Sequence, residues 1–258
     1  MPKNKNRFFN ASISNGTLSL DMYDYIGDTG YGDGITESMV SNALKESDCK
    51  SVTLNINSPG GDAFCGVAIR NVLVQSNKKV IVNVVGLAAS AASIVAMAGD
   101  TITMHSGSVM MIHPAQAGTM GSASDFRKMA DTLDTVTASI ADVYAAKTGL
   151  PTDKVLEMMN AETWMTADEA VANGFATAVS KDKAAVKNDF DLSIFRNAPD
   201  ALKIEAKAEE PVEEPIEEPI EEPIEEPIEE PIEEPPAIVA EAPDLSLFAH
   251  QLEINRRK

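Results

Sequence analysis

Three short strings carry the residue types of acyl-transfer chemistry, and they occur in a fixed order: Ser58-Pro59-Gly60-Gly61, Gly86-Leu87-Ala88-Ala89-Ser90 and Met111-Ile112-His113-Pro114. The first is a Gly-rich turn, the second ends on a hydroxyl, and the third supplies an imidazole. Ser90 has small neighbours on both sides, so a substrate backbone could approach it closely. If a helix starts at Ser90, the unpaired N–H groups of its first turn face a developing oxyanion. Gly60-Gly61 permits backbone conformations and close approaches that a side chain would block, which suits a second oxyanion donor. His113 is the histidine best placed to act as base, since His105 falls in a polar turn and His250 near the C-terminus. This is the layout of a serine hydrolase. Each residue also has a bland reading: Ser90 as a helix N-cap, with Ser93 as a competing hydroxyl, His113 as a structural histidine, and Ser-Pro-Gly-Gly as an ordinary turn.

Such residues need strand ends to hold them, and the flanking sequence provides strands alternating with helices. Asn10 to Ile26 alternates weakly around Asn15-Gly16, a hairpin signal. Val52 to Asn57 and Lys79 to Val85 are β-branched strands that run into the first two motifs, the second through a turn at Gly86. Asp100 to Met104 and Ser108 to Ile112 are two further short strands, the latter leading to His113. Helices are expected over Thr36 to Lys45, over Ala63 to Gln75 with Asp62 as cap, and from about Ser90. A longer one spans Ser124 to Lys147 and ends at Gly149, followed by Thr152 to Met159 and Thr166 to Asn173. Alternation of this kind predicts an α/β fold of repeated βαβ units with right-handed crossovers.

Composition divides the 258 residues near position 183. Residues 1–182 carry a net charge of −6 and nearly all the patterned apolar sequence, whereas 183–258 carry −13 of the total −19. The expected organisation is a catalytic domain over 1–182, a linker over 183–208, a Glu-Glu-Pro-Ile repeat over 209–236 and a C-terminal segment over 237–258 with a short amphipathic helix. Proline at every fourth position forbids helix and sheet, and paired glutamates repel, so the repeat should be extended and disordered, spanning roughly 80 Å. A pI near 4.5 argues against general nucleic-acid binding. Cys49 and Cys65 lie in no zinc or disulfide spacing, so neither metal nor cofactor is expected. No apolar run is long enough for a membrane span, and the basic start is followed by residues too polar for a signal peptide. A cytoplasmic protein is expected.

The motifs, taken with Trp164-Met165-Thr166-Ala167-Asp168-Glu169-Ala170-Val171-Ala172-Asn173-Gly174, resemble the Clp protease proteolytic subunit family over roughly residues 10 to 180. The similarity is to its phage and prophage branch, the head maturation proteases. The resemblance implies a crotonase-like fold and an endopeptidase with a Ser-His-acid triad, assembled as a homo-oligomer of one ring or two stacked rings. It places Ser90 as nucleophile, His113 as base, and the N–H groups of Gly61 and Ala91 in the oxyanion hole. The family acid is an Asp, and Glu162 stands at that place here, with Asp153 and Asp168 as weaker candidates. Protein substrates are implied, capsid or scaffold protein of a phage among them. An AAA+ unfoldase partner is left open, because the N-terminal stretch lacks a clear version of the segment that contacts the ATPase ring. Two readings of other classes remain: an acyl-CoA hydratase or isomerase on the crotonase fold, and a non-catalytic assembly or scaffold protein. A Ser-Lys peptidase is disfavoured because no lysine accompanies the motifs.

Overall fold

The computed structural model describes residues 9–28, 34–183, 190–199 and 202. The chain divides into two units, Met1–Lys207 and Ala208–Lys258, and every described residue lies in the first. The Glu-Glu-Pro-Ile repeat, the segment expected to form a C-terminal helix and His250 lie outside the described residues.

The chain opens with the hairpin β1 (Phe9–Ser14) and β2 (Thr17–Met22), joined through Asn15 and Gly16, both at positive φ as a tight primed turn requires. Thr36 caps α1 (Glu37–Lys45), whose buried Val40 and Leu44 face the core. β3 (Ser51–Ser58) leads through Pro59-Gly60-Gly61 to α2 (Ala63–Gln75), and Asp62 caps that helix by accepting from Cys65 N at 2.7 Å. There follow β4 (Lys79–Ala89), the short α3 (Ala91–Ala96), β5 (Thr101–Ser106) and β6 (Val109–Ile112). The long α4 (Ala123–Thr148) ends at Gly149 in the left-handed conformation, as expected of that glycine. α5 (Thr152–Asn160), β7 (Thr163–Thr166), α6 (Ala167–Ala172) and β8 (Ala178–Lys183) complete the elements.

The strands form one sheet in the order β1-β2-β3-β4-β5-β8, with β6 joined to β4 and β7 to β6. Pairing is parallel except for β1 with β2 and β6 with β7. This is the α/β architecture of βαβ units that the alternating sequence predicts. One face of the sheet packs Leu20, Leu54, Val82 and Ile102 into the main core with α2 and α3. The other face carries a row of directly opposed polar residues: Asn10 Nδ2 donates to Asp21, Asn55 Nδ2 to Asp21 at 2.8 Å, and Asn83 Nδ2 to Asn55 at 3.0 Å. No helix among the described residues is long and apolar enough to cross a membrane.

Three elements differ from expectation. The strand expected to stop at Val85 continues to Ala89, and Gly86 is not a turn. Its first half pairs with β3 and β5, and its second half exchanges β5 for β6. Buried Asn57 sits at a break in the β3–β4 register, and its Oδ1 accepts from Leu87 N at 2.9 Å, taking the place of a strand partner on the β3 side. β7 and β8 were not anticipated, because each is short and flanked by helical pattern.

Candidate active site

Ser90 lies between the end of β4 and the first residue of α3, with φ 53° and ψ −125°, a backbone conformation few non-glycine residues adopt. Ser90 N donates to Met111 O at 3.0 Å, which ties the turn to the strand that delivers His113. His113 follows β6 directly. The ends of β4 and β6 therefore bring the two side chains together, and His113 Nε2 lies 2.7 Å from Ser90 Oγ. At that distance the imidazole can take the hydroxyl proton.

Gly60 and Gly61 adopt φ 93° and 146° beside this pair. A Cβ on Gly60 would stand 2.7 Å from Ser90 Cβ and 2.8 Å from Ala91 N, so the glycine keeps open the space next to the nucleophile. Gly61 forms a parallel bridge with Ile26, but the bonds are made by its neighbours: Ile26 N donates to Gly60 O at 2.8 Å and Asp62 N to Ile26 O at 2.9 Å. In that pattern the N–H of Gly61 turns away from Ile26. Ala91 is the first residue of α3, where the N–H has no partner within the helix. Ser93, the competing hydroxyl, is fully buried and bonded to Ser90 O and Tyr144 OH.

Glu162 is brought to the same place by α5 and β7. It occupies the left-handed position just past the α5 terminus, with φ 49°, where glycine or asparagine is usual. A glutamate held there is a strained choice, and the residue is only 6% exposed. Oε1 accepts from Asn197 N at 2.6 Å and from Trp164 Nε1 at 3.2 Å, and Oε2 accepts from Arg196 N at 2.9 Å. Burial pushes the carboxyl up, but the Asn197, Arg196 and Trp164 donors and the His113 charge outweigh it and hold the group below the usual glutamate range. His113 is pushed below its ordinary value by burial, and Glu162 pulls it partly back. The two groups thus interact through space. His113 Nδ1 is buried without a hydrogen-bond partner, while all three donors to Glu162 come from elsewhere. Asp153 and Asp168 are exposed in the first turns of α5 and α6, so Glu162 is the candidate acid whose charge reaches the imidazole.

The sequence reading missed the residues that hold Glu162. Residues 190–199 fall in the expected linker, yet Phe190, Leu192, Phe195 and Ala198 are buried against Leu87, Ala89 and Met111 of β4 and β6. Phe195 meets His113 and Trp164 edge-on, with centroids 5.6 Å apart in both cases. The available signal was the spacing Phe190, Leu192, Phe195 within an otherwise polar stretch. Among the described residues, no cluster of three or more His, Cys, Asp and Glu side chains could hold a metal ion.

Comparison with known proteins identifies the family. Residues 26–183, more than half of the chain, match the family model of Clp protease. The ATP-dependent Clp protease proteolytic subunit of Pleurastrum terricola is 32% identical over 138 residues, covering 53% of this chain and 70% of the relative. The ATP-dependent Clp protease proteolytic subunit 3 of Rhodococcus jostii (strain RHA1) is 31% identical over 140 residues, 53% of this chain and 69% of that protein. The Chlamydomonas reinhardtii proteolytic subunit is 27% identical over 190 residues, covering 69% of this chain and 36% of its own length. The fold and the relatives together define a serine-type peptidase, a hydrolase, rather than an acyl-CoA hydratase or isomerase. The chain belongs to the Clp protease family. The match ends at residue 183, so the segment packed on His113 and Glu162 lies beyond it.

Proposed function

We propose that this chain is an endopeptidase that cleaves peptide bonds with Ser90 as nucleophile, His113 as general base and Glu162 as acid. The observation that carries the reading is the 2.7 Å contact between His113 Nε2 and Ser90 Oγ at a strained strand-to-helix turn. His113 takes the Ser90 proton as Oγ attacks the scissile carbonyl, and returns it to the leaving amine. The N–H groups of Gly61 and Ala91 receive the oxyanion. Glu162 stabilises the imidazolium by its charge, held as an anion by the donors of Trp164, Arg196 and Asn197. No step calls for a metal or cofactor.

The biological reading is head maturation in a phage or prophage, with capsid or scaffold protein as substrate. The four motifs and their resemblance to that branch support it. The working form is a homo-oligomeric ring, single or stacked in pairs, in the host cytoplasm. The acidic repeat serves as a tether between the catalytic unit and a partner bound by the C-terminal segment, raising the local concentration of substrate. Fluorophosphonate labelling tests the chemistry: the full chain should label stoichiometrically and Ser90→Ala should abolish it. Intact, assembled protein that never labels removes Ser90 as nucleophile.

A further inference from the structure

Beneath the nucleophile lies a pair of buried hydroxyls that the chemistry above leaves unused. Ser93 projects from α3 and Tyr144 reaches it from the last turns of α4, with exposures of 0% and 1%. Tyr144 OH and Ser93 Oγ are 2.8 Å apart, and Ser93 Oγ donates to the carbonyl oxygen of Ser90 at 2.6 Å. A serine hydroxyl has one hydrogen and a carbonyl can only accept. The Ser93 hydrogen is therefore committed to Ser90, and Tyr144 donates to Ser93. Burial pushes the Tyr144 phenol well above its ordinary value, so it remains a donor throughout the working pH range.

The carbonyl of Ser90 and the N–H of Ala91 belong to one planar peptide and point in opposite directions. Whatever fixes the oxygen aims the N–H. Ser93 N also donates to this oxygen, at 2.9 Å, so amide and hydroxyl grip it from the α3 side. On the opposite side, Ala91 N faces the space that Gly60 keeps open. The peptide needs such a grip, because Ser90 sits outside the ordinary backbone regions and α3 is only six residues long.

We infer that Tyr144 and Ser93 act as a brace of two hydroxyls that holds the Ser90–Ala91 peptide with the Ala91 N–H directed at the oxyanion. Both are positioning residues and neither touches substrate. The inference rests on the reading of Ser90 as nucleophile and Ala91 as oxyanion donor. It makes α4 part of the catalytic apparatus, since a displacement of that helix would act on Ala91 through Tyr144.

The test uses Tyr144→Phe, Ser93→Ala and the double variant in the full chain, with peptide hydrolysis and a peptide boronate whose tetrahedral serine adduct places an oxygen at the oxyanion position. Each single variant should lower kcat about tenfold, less than outright removal of an oxyanion donor, with KM within about twofold. Boronate affinity should fall by a similar factor. The double variant should be no worse than either single one, because the hydroxyls act in series. Unchanged kcat with a lowered melting temperature would mean that the pair only fills the core, and losses that multiply would mean that the two hydroxyls act independently and form no brace. Should Ser93→Ala fail to fold, Tyr144→Phe decides by the same two measurements, since it deletes a single oxygen. Wild-type chain that resists fluorophosphonate sinks the nucleophile reading, and the brace with it. Wild-type chain that labels while the variants keep full kcat sinks the brace alone.

Discussion

At the scale of single residues, what distinguishes this site is the number of donors gathered on Glu162 and the lack of one shared with His113 Nδ1. In the proposed triad the carboxylate therefore acts on His113 by charge. Glu162→Gln should lower kcat roughly a hundredfold, less than the ~10⁴ lost when an acid bonded directly to the imidazole becomes an amide. It should also move the acidic limb of the pH profile. His113 must be neutral to accept a proton, and burial already sets its pKa below the ordinary value, so activity should persist below about pH 6.5. Removing the Glu162 charge removes the influence that raises that pKa, and the limb should shift further down. A limb that moves up, in kcat/KM against pH for a small peptide, would contradict this account. Gly60 gives the complementary case, where added atoms are the problem. Gly60→Ala would set a Cβ 2.6 Å from Ala89 O and 2.7 Å from Ser90 Cβ at a φ of 93°. It should abolish fluorophosphonate labelling and cost about 1–3 kcal/mol of stability in chemical denaturation.

At the scale of elements, residues 190–199 are the main addition to the family-matched fold, since they cover His113 and supply two of the three donors to Glu162. Phe195→Ala should admit water to the imidazole, relieve its desolvation and raise its pKa, so the acidic limb moves up, opposite to Glu162→Gln. Profiles that shift the same way in both variants would show that Phe195 does not desolvate His113. The sequence was most legible where local chemistry decides the element: the Asn15-Gly16 turn, the Thr36 and Asp62 caps, and Gly149 after α4. The His113 motif was legible because strand periodicity stops just before it, and Ser90 because small residues flank it where a helix was expected to start. The break in the β3–β4 register was not, because the Leu87 N–H there is satisfied by Asn57, thirty positions away. Nor was the packing of Phe190, Leu192 and Phe195, whose apolar partners lie on β4 and β6 some eighty to one hundred residues earlier. The acid could be located only by resemblance, since nothing near Glu162 in sequence announces that donors at 196 and 197 will hold it.

At the scale of the whole molecule, the unit ending at Lys207 holds Ser90, His113 and Glu162, while the chain beyond it carries most of the net charge of −19. Truncation after Lys207 should leave hydrolysis of a short peptide within about twofold of the full chain and slow cleavage of the natural protein target by a factor of ten or more, the scale on which tethering raises local concentration. Equal loss on both substrates would contradict the tether. The row of polar side chains across β1 to β4 bears on the same unit. Asn10, Asp21, Asn55 and Asn83 are direct cross-strand neighbours, and two of these strands end at the site, β3 at the Gly60-Gly61 turn and β4 at Ser90. A slip of one residue would carry a strand end about 3.3 Å along its axis, a full hydrogen-bond length. The amide and carboxylate row on that face of the sheet is therefore a ruler by which the Gly60-Gly61 turn and Ser90 are set to a common mark.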